Sequence, residues 1–146
     1  VEEVQAWGAV LIDDRFSQAG DVDTAMTLLR FENGVLGITE TSRRSNWGYD
    51  IRTEVAGAIG KVVIEAPQKT PLLFAREFSS TFDHFENFPD RFEKAYQLQL
   101  QSFFKALQEG KKPSPGPEDA LETLRLAIAV TTSWKERRPV KISEIQ

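Results

Sequence analysis

The segment Ser42-Arg43-Arg44-Ser45-Asn46-Trp47-Gly48-Tyr49-Asp50-Ile51-Arg52 gathers two aromatics, an Asn, an Asp and three Arg around one glycine. That set of side chains suits a polyol. Aromatic faces cover the C–H surfaces of a sugar or cyclitol, while hydroxyl, amide and guanidinium groups satisfy its oxygens. If strand pairing starts near Trp47, period-two alternation puts Trp47, Tyr49 and Ile51 on one face and Asp50 and Arg52 on the other. Only one of those sets can then meet a ligand. Two readings of the segment stand side by side: ligand contact, or cross-strand aromatic packing with surface ion pairs.

Other chemistry-bearing residues are sparser. Asp21 and Asp23 lie two apart and share a strand face if the strand begins there, a spacing that can pair carboxylates for acid–base work. Hydration and capping at a strand entrance is the simpler expectation for them. His84, the one histidine, sits in Phe82-Asp83-His84-Phe85 without a recognisable nucleophile nearby, so a structural or surface role is expected. Gly57-Ala58-Ile59-Gly60 lacks the G-x-G-x-x-G spacing of a dinucleotide loop and joins two short strand-like runs. Asp13-Asp14 and Lys111-Lys112 read as solvated loop charges.

Composition narrows the chemistry further. The chain has 146 residues, the length of one ordinary domain, with no cysteine and a single histidine. Disulfides, zinc–thiolate sites and thiol nucleophiles are thereby excluded, and only carboxylates could hold a metal, so no metal site is expected. With 18 basic against 22 acidic side chains the net charge is −4, which provides no basic footprint for nucleic acid or anionic membrane. No apolar run is long enough to span a bilayer, and the cytoplasm is the expected location. The 40% hydrophobic and 27% charged fractions are those of a chain that folds.

The elements that must position these residues change character midway. Glu3 to Ile12, Val22 to Phe31, Val35 to Arg43, Tyr49 to Gly57, Lys61 to Glu65 and Leu72 to Phe74 read as strands, about six in all. Asn33-Gly34 between two of them is a strong hairpin signal, and Ala58-Ile59-Gly60-Lys61 is a second tight turn. Such short links imply antiparallel neighbours. From Pro89 to Leu107 the residues Phe92, Ala95, Tyr96, Leu100, Phe103, Phe104 and Leu107 recur every three or four, which predicts an amphipathic helix stopped at Gly110. A second helix is predicted from Pro117 to Glu136, opened by Pro117 with Glu118 and Asp119 and closed by Arg137-Arg138-Pro139.

Strands grouped before helices imply an α+β fold: an open antiparallel sheet of about six strands with helices on one face. Both alternation sets of the second strand are apolar, Val22, Met26 and Leu28 against Ala25, Leu29 and Phe31, so the other sheet face is expected to pack on another subunit or domain. Val1 stands where an initiator Met is expected, and a strand follows at once. The chain is therefore expected to be part of something longer.

The runs Gly20-Asp21-Val22-Asp23-Thr24-Ala25, Phe31-Glu32-Asn33-Gly34-Val35-Leu36-Gly37 and Gly48-Tyr49-Asp50-Ile51-Arg52-Thr53-Glu54-Val55-Ala56-Gly57, followed by Asp90-Arg91-Phe92-Glu93-Lys94-Ala95-Tyr96, resemble the C-terminal domain of Gfo/Idh/MocA oxidoreductases. The resemblance spans nearly the whole chain. It implies that residues 1–146 are a single substrate-binding and oligomerisation domain, partnered by an N-terminal Rossmann domain that is not in this chain and that binds NAD or NADP. It also implies that the family's catalytic residues, the Lys of an E-K-P motif and the Asp and His of a D-x-x-x-H motif, lie before Val1, since neither motif is present here. Tyr49 maps onto the tyrosine of the family's G-Y-D segment, which lines the inositol pocket, and Trp47 onto a neighbouring aromatic position. The implied parent reaction is oxidation of a cyclitol or sugar hydroxyl by a homo-oligomeric (dimeric or tetrameric) dehydrogenase. A non-catalytic oligomerisation or binding module of the same fold, and a small self-contained enzyme using Asp21 and Asp23, are the alternatives.

Overall fold

The computed structural model describes residues 1–145. Its contacts form two compact units: Val1–Arg44 together with the chain from Lys112 onward, and Ser45–Lys111.

The first unit is built on β1 (Glu3–Ala9), β2 (Thr24–Arg30) and β3 (Leu36–Ser42), an antiparallel sheet in the order β3-β2-β1. Asn33-Gly34 makes the β2–β3 link as the sequence predicts. Gly34 takes a φ of +83°, and the Phe31 N–H donates to Val35 O at 2.9 Å. A short helix, α1 (Arg15–Gln18), lies in the β1–β2 connection. One face of the sheet is covered by α3 (Pro117–Glu136), whose bounds match the punctuation read from Pro117 and Arg137-Arg138-Pro139. The Gly116 N–H donates to Asp119 Oδ2 at 2.7 Å at the start of α3, and Arg137 in the left-handed region ends it.

Alternation decides what faces α3. Val4 and Ala6 of β1 are buried with Ala129 of α3 and Val140, while Trp7, Met26, Leu28, Leu36 and Ile38 on the opposite face are exposed. Gly8 is required under α3, because a Cβ there would lie 2.9 Å from Val22 Cγ1 and 3.1 Å from Trp134 Cδ1. The sheet closes with β8 (Val140–Lys141), which pairs with Glu3 and Val4 only. Beyond that short edge Ala6 has no strand partner on this side, and the buried Ser133 of α3 substitutes for one. Its Oγ accepts from Ala6 N at 2.9 Å and donates to Arg138 O at 2.6 Å.

The second unit holds two hairpins and one helix: β4 (Thr53–Gly57) with β5 (Gly60–Ile64), β6 (Leu73–Arg76) with β7 (Ser79–Phe82), and α2 (Phe88–Gln108). Asn87 caps α2, its Oδ1 accepting from Asp90 N at 3.0 Å. The α+β class with antiparallel pairing stands. The single sheet of about six strands does not: the described residues form eight strands, distributed as one four-stranded sheet and two two-stranded ones. Two-residue turns make each hairpin pair with itself, and nothing in a strand's alternation specifies a third neighbour. The strand expected from Tyr49 starts only at Thr53. Among the described residues no helix is long and apolar enough to cross a membrane, and no cluster of acidic or histidine side chains could hold a metal.

Candidate functional site

Within the second unit, residues 45–52 run without strand pairing between a turn at Ser45–Gly48 and the start of β4. Gly48 adopts a φ of +111°, which L side chains rarely take, and its α-carbon lies against His84. This turn breaks the alternation expected from Trp47. Trp47, Tyr49, Asp50 and Arg52 accordingly line one cleft of about 370 Å³ instead of dividing between two faces. Glu65, Ala66 and Pro67 after β5, and Phe82, His84 and Phe85 around the end of β7, complete the walls.

The polar groups of the cleft are organised around Asp50. Its carboxylate accepts from Trp47 Nε1–H at 2.9 Å and from Arg52 Nε–H at 2.8 Å. The Arg52 guanidinium holds this carboxyl below the usual carboxylate range; burial opposes the effect and the Trp47 N–H adds to it. Asp50 is therefore ionised at neutral pH, and its charge is matched by the directly bonded guanidinium of Arg52.

Tyr49 is fixed by its backbone and by its ring. Its N–H donates to Phe85 O at 2.7 Å, and the ring packs against Phe88 and, edge-on, against Phe92, with centroids 6.3 and 6.2 Å away. Trp47 is 60% exposed, with its indole N–H committed to Asp50, so its ring faces are what it offers a ligand. Both site residues named from the sequence thus share one cleft. His84, expected to be structural or at the surface, is a wall of that cleft as well. Its ring lies 4.8 Å from that of Phe82. Sequence carried no signal for this, because His84 and Trp47 meet only through the turn at Gly48.

Asp21 and Asp23 do not form a carboxylate pair. Asp23 is buried and accepts backbone N–H donors from Leu11 at 3.0 Å, Ile12 at 2.8 Å and Asp13 at 3.1 Å, together with the Thr24 hydroxyl. Asp21 is exposed and accepts from Val22 N. Asp23 holds the loop of residues 11–13 through their N–H groups, and its burial takes it out of the hydration expected for it. A dinucleotide finds no strand–glycine loop–helix unit among the described residues, since Gly57 and Gly60 flank the two-residue turn between β4 and β5. These residues do not fit such a cofactor.

A family model described as "Oxidoreductase family, C-terminal alpha/beta domain" matches residues 4–142. A myo-inositol 2-dehydrogenase from Thermotoga maritima is 38% identical over 148 residues, covering 99% of this chain and 44% of the relative. A scyllo-inositol 2-dehydrogenase (NAD(+)) from Bacillus subtilis is 35% identical, covering 97% of this chain and 42% of the relative. Among solved structures, a probable dehydrogenase from Thermotoga maritima superposes with a TM-score of 0.95 at 37% identity, over 100% of this chain and 44% of that one. The chain spans less than half the length of the curated relatives it matches.

Proposed function

Because this chain belongs to the Gfo/Idh/MocA oxidoreductase family and forms its C-terminal alpha/beta domain, we propose that it is the substrate-binding and assembly half of an NAD(P)-dependent dehydrogenase that oxidises a ring hydroxyl of an inositol or related sugar. The observation that carries this reading is the convergence of Trp47, Tyr49, Asp50, Arg52 and His84 on one cleft. The inositol dehydrogenases among its relatives support a cyclitol as the guest, and the NAD(+) in the name of the Bacillus subtilis relative supports that cofactor.

In this reading an N-terminal Rossmann domain would hold the cofactor, which would supply the hydride-acceptor chemistry for oxidation at the carbinol carbon. The residues of this chain bind and orient. The Tyr49 and Trp47 rings cover the C–H surface of the polyol and displace water from it. Asp50 accepts hydrogen bonds from ring hydroxyls, and Arg52 donates to their oxygens. Tyr49 positions the substrate; removal of the hydroxyl proton falls to groups outside this chain. The exposed sheet face bearing Trp7, Met26, Leu28, Leu36 and Ile38 is the surface through which copies of the protein associate.

The test is reduction of NAD+ or NADP+ by the full-length protein with a panel of inositols, pyranoses and amino sugars. Turnover with at least one cyclitol is expected. Absence of turnover on the whole panel with both cofactors would refute the reading.

A further inference from the structure

Arg91 ends among three backbone carbonyls. Its Nη2 donates to Ile51 O at 2.8 Å and Glu65 O at 3.4 Å, and its Nη1 donates to Tyr49 O at 3.3 Å. The guanidinium also lies 4.9 Å from the centroid of the Phe92 ring, and α2 leaves helical geometry at that residue, with φ −109° and ψ 15°. Phe92 is in turn one of the two rings against which Tyr49 packs. Arg91 therefore touches the cleft loop through its carbonyls and the ring that backs Tyr49.

The loop needs such a support. Residues 49–52 have no ladder partner, and the carbonyls of Tyr49 and Ile51 lie on either side of Asp50. A group that grips both limits rotation of the intervening peptides, and with them the direction of the Asp50 carboxylate and the Tyr49 ring. Guanidinium suits this task because its donors are fixed in one plane; an ammonium is a single point on a flexible stem. The first turn of α2 is itself anchored by the Asn87 cap and by Lys69 Nζ, which donates to Asp90 Oδ2 at 2.7 Å.

We propose that Arg91 is a positioning residue for the polyol cleft, clamping the carbonyls of Tyr49, Ile51 and Glu65 so that Tyr49 and Asp50 are held in the orientation that receives substrate. This rests on the cleft being the polyol site. Arg91 touches no substrate; it acts through the loop.

The experiment compares Arg91→Lys and Arg91→Ala in the full-length protein, by steady-state kinetics on its polyol and by hydrogen exchange of the 49–52 amides without substrate. The expected result for Arg91→Lys is a polyol KM raised about tenfold, with the cofactor KM changed less than about twofold and amide exchange in the loop accelerated about tenfold or more. Arg91→Ala is expected to go further in the same direction, so that Lys counts as partial rescue. Unchanged loop exchange and unchanged polyol KM in Arg91→Lys would overturn the clamp, as would an equal rise in both KM values. The cleft reading fails separately, if Tyr49→Phe leaves turnover of every polyol unchanged; loop exchange still decides the clamp in that case, because it requires no substrate.

Discussion

Gly48 packs directly on His84: a Cβ at residue 48 would lie 2.4 Å from His84 Cβ and 2.8 Å from His84 Cγ. The contact joins the loop that carries Trp47 and Tyr49 to the segment after β7, and it sets how the cleft is shaped. Gly48→Ala meets both this clash and a φ of +111°, so the loop must move. A stability loss of about 1–3 kcal/mol is expected, together with a raised polyol KM. Thermal unfolding and steady-state kinetics of the variant check it; a variant indistinguishable from wild type in both would show that the turn is not what forms the cleft.

Ser133→Ala probes the first unit. It removes the acceptor of the Ala6 N–H and the donor to Arg138 O at a site with no solvent exposure. Leaving those backbone groups unpaired costs about 1–3 kcal/mol. Denaturant unfolding should show that loss, whereas loop exchange at residues 49–52 should stay as in wild type.

Acid should destabilise the protein through its carboxylates. Burial raises the carboxyl of Asp23, but the N–H donors of Leu11, Ile12 and Asp13 outweigh it and the net direction is down. Asp83 is lowered by its bonds to Thr70, and Asp13 is lowered to about 2 by the side chain and backbone of Arg15. Folded values below the ordinary 3.8 mean that the unfolded chain binds more protons in this range, so stability rises with pH there. The contribution is complete above the unfolded value and is lost as pH falls through the lower folded ones. The Tm is expected to be flat from neutral pH down to about pH 5 and to fall below about pH 4. Asp23→Ala should lower the neutral-pH Tm by about 4–8 °C and flatten the acid slope, as calorimetry across that range would show.

Much of the architecture was legible because local punctuation specifies it. Pro117 and Arg137-Arg138-Pro139 bracket α3, and Asn33-Gly34 makes the β2–β3 turn. What alternation cannot encode is which strands become neighbours, and this is why the expectation is one sheet where the described residues form three. The first strand of the β6–β7 hairpin was readable at Leu72 to Phe74, but β7 was hidden because the turn before it uses Phe78 at a φ of +61° where a glycine would be the signal. At two residues, β8 is too short to show any period. In the cleft, Trp47 and Tyr49 were readable from composition and resemblance, but their joint placement with Asp50 and Arg52 depends on a single backbone torsion at Gly48. His84 and Arg91 reach the loop of residues 47–52 from more than thirty residues away in sequence, so no local pattern announces them.

The open sheet face should hold subunits together. Leu28 is central on β2 and 48% exposed in the single chain, so Leu28→Glu should change the fold of one subunit little while opposing association. Sedimentation velocity of the full-length variant is expected to show smaller species than wild type. An unchanged distribution would place the association surface elsewhere.

The central claim is that Tyr49 meets the polyol, and kcat/KM of Tyr49→Phe in the full-length enzyme tests it most directly. Loss of one hydrogen bond to substrate, worth about 0.5–1.5 kcal/mol, predicts a fall of up to about tenfold in kcat/KM for the polyol, with the cofactor KM and the unfolding transition essentially those of wild type. Unchanged kcat/KM on every polyol turned over would contradict the account.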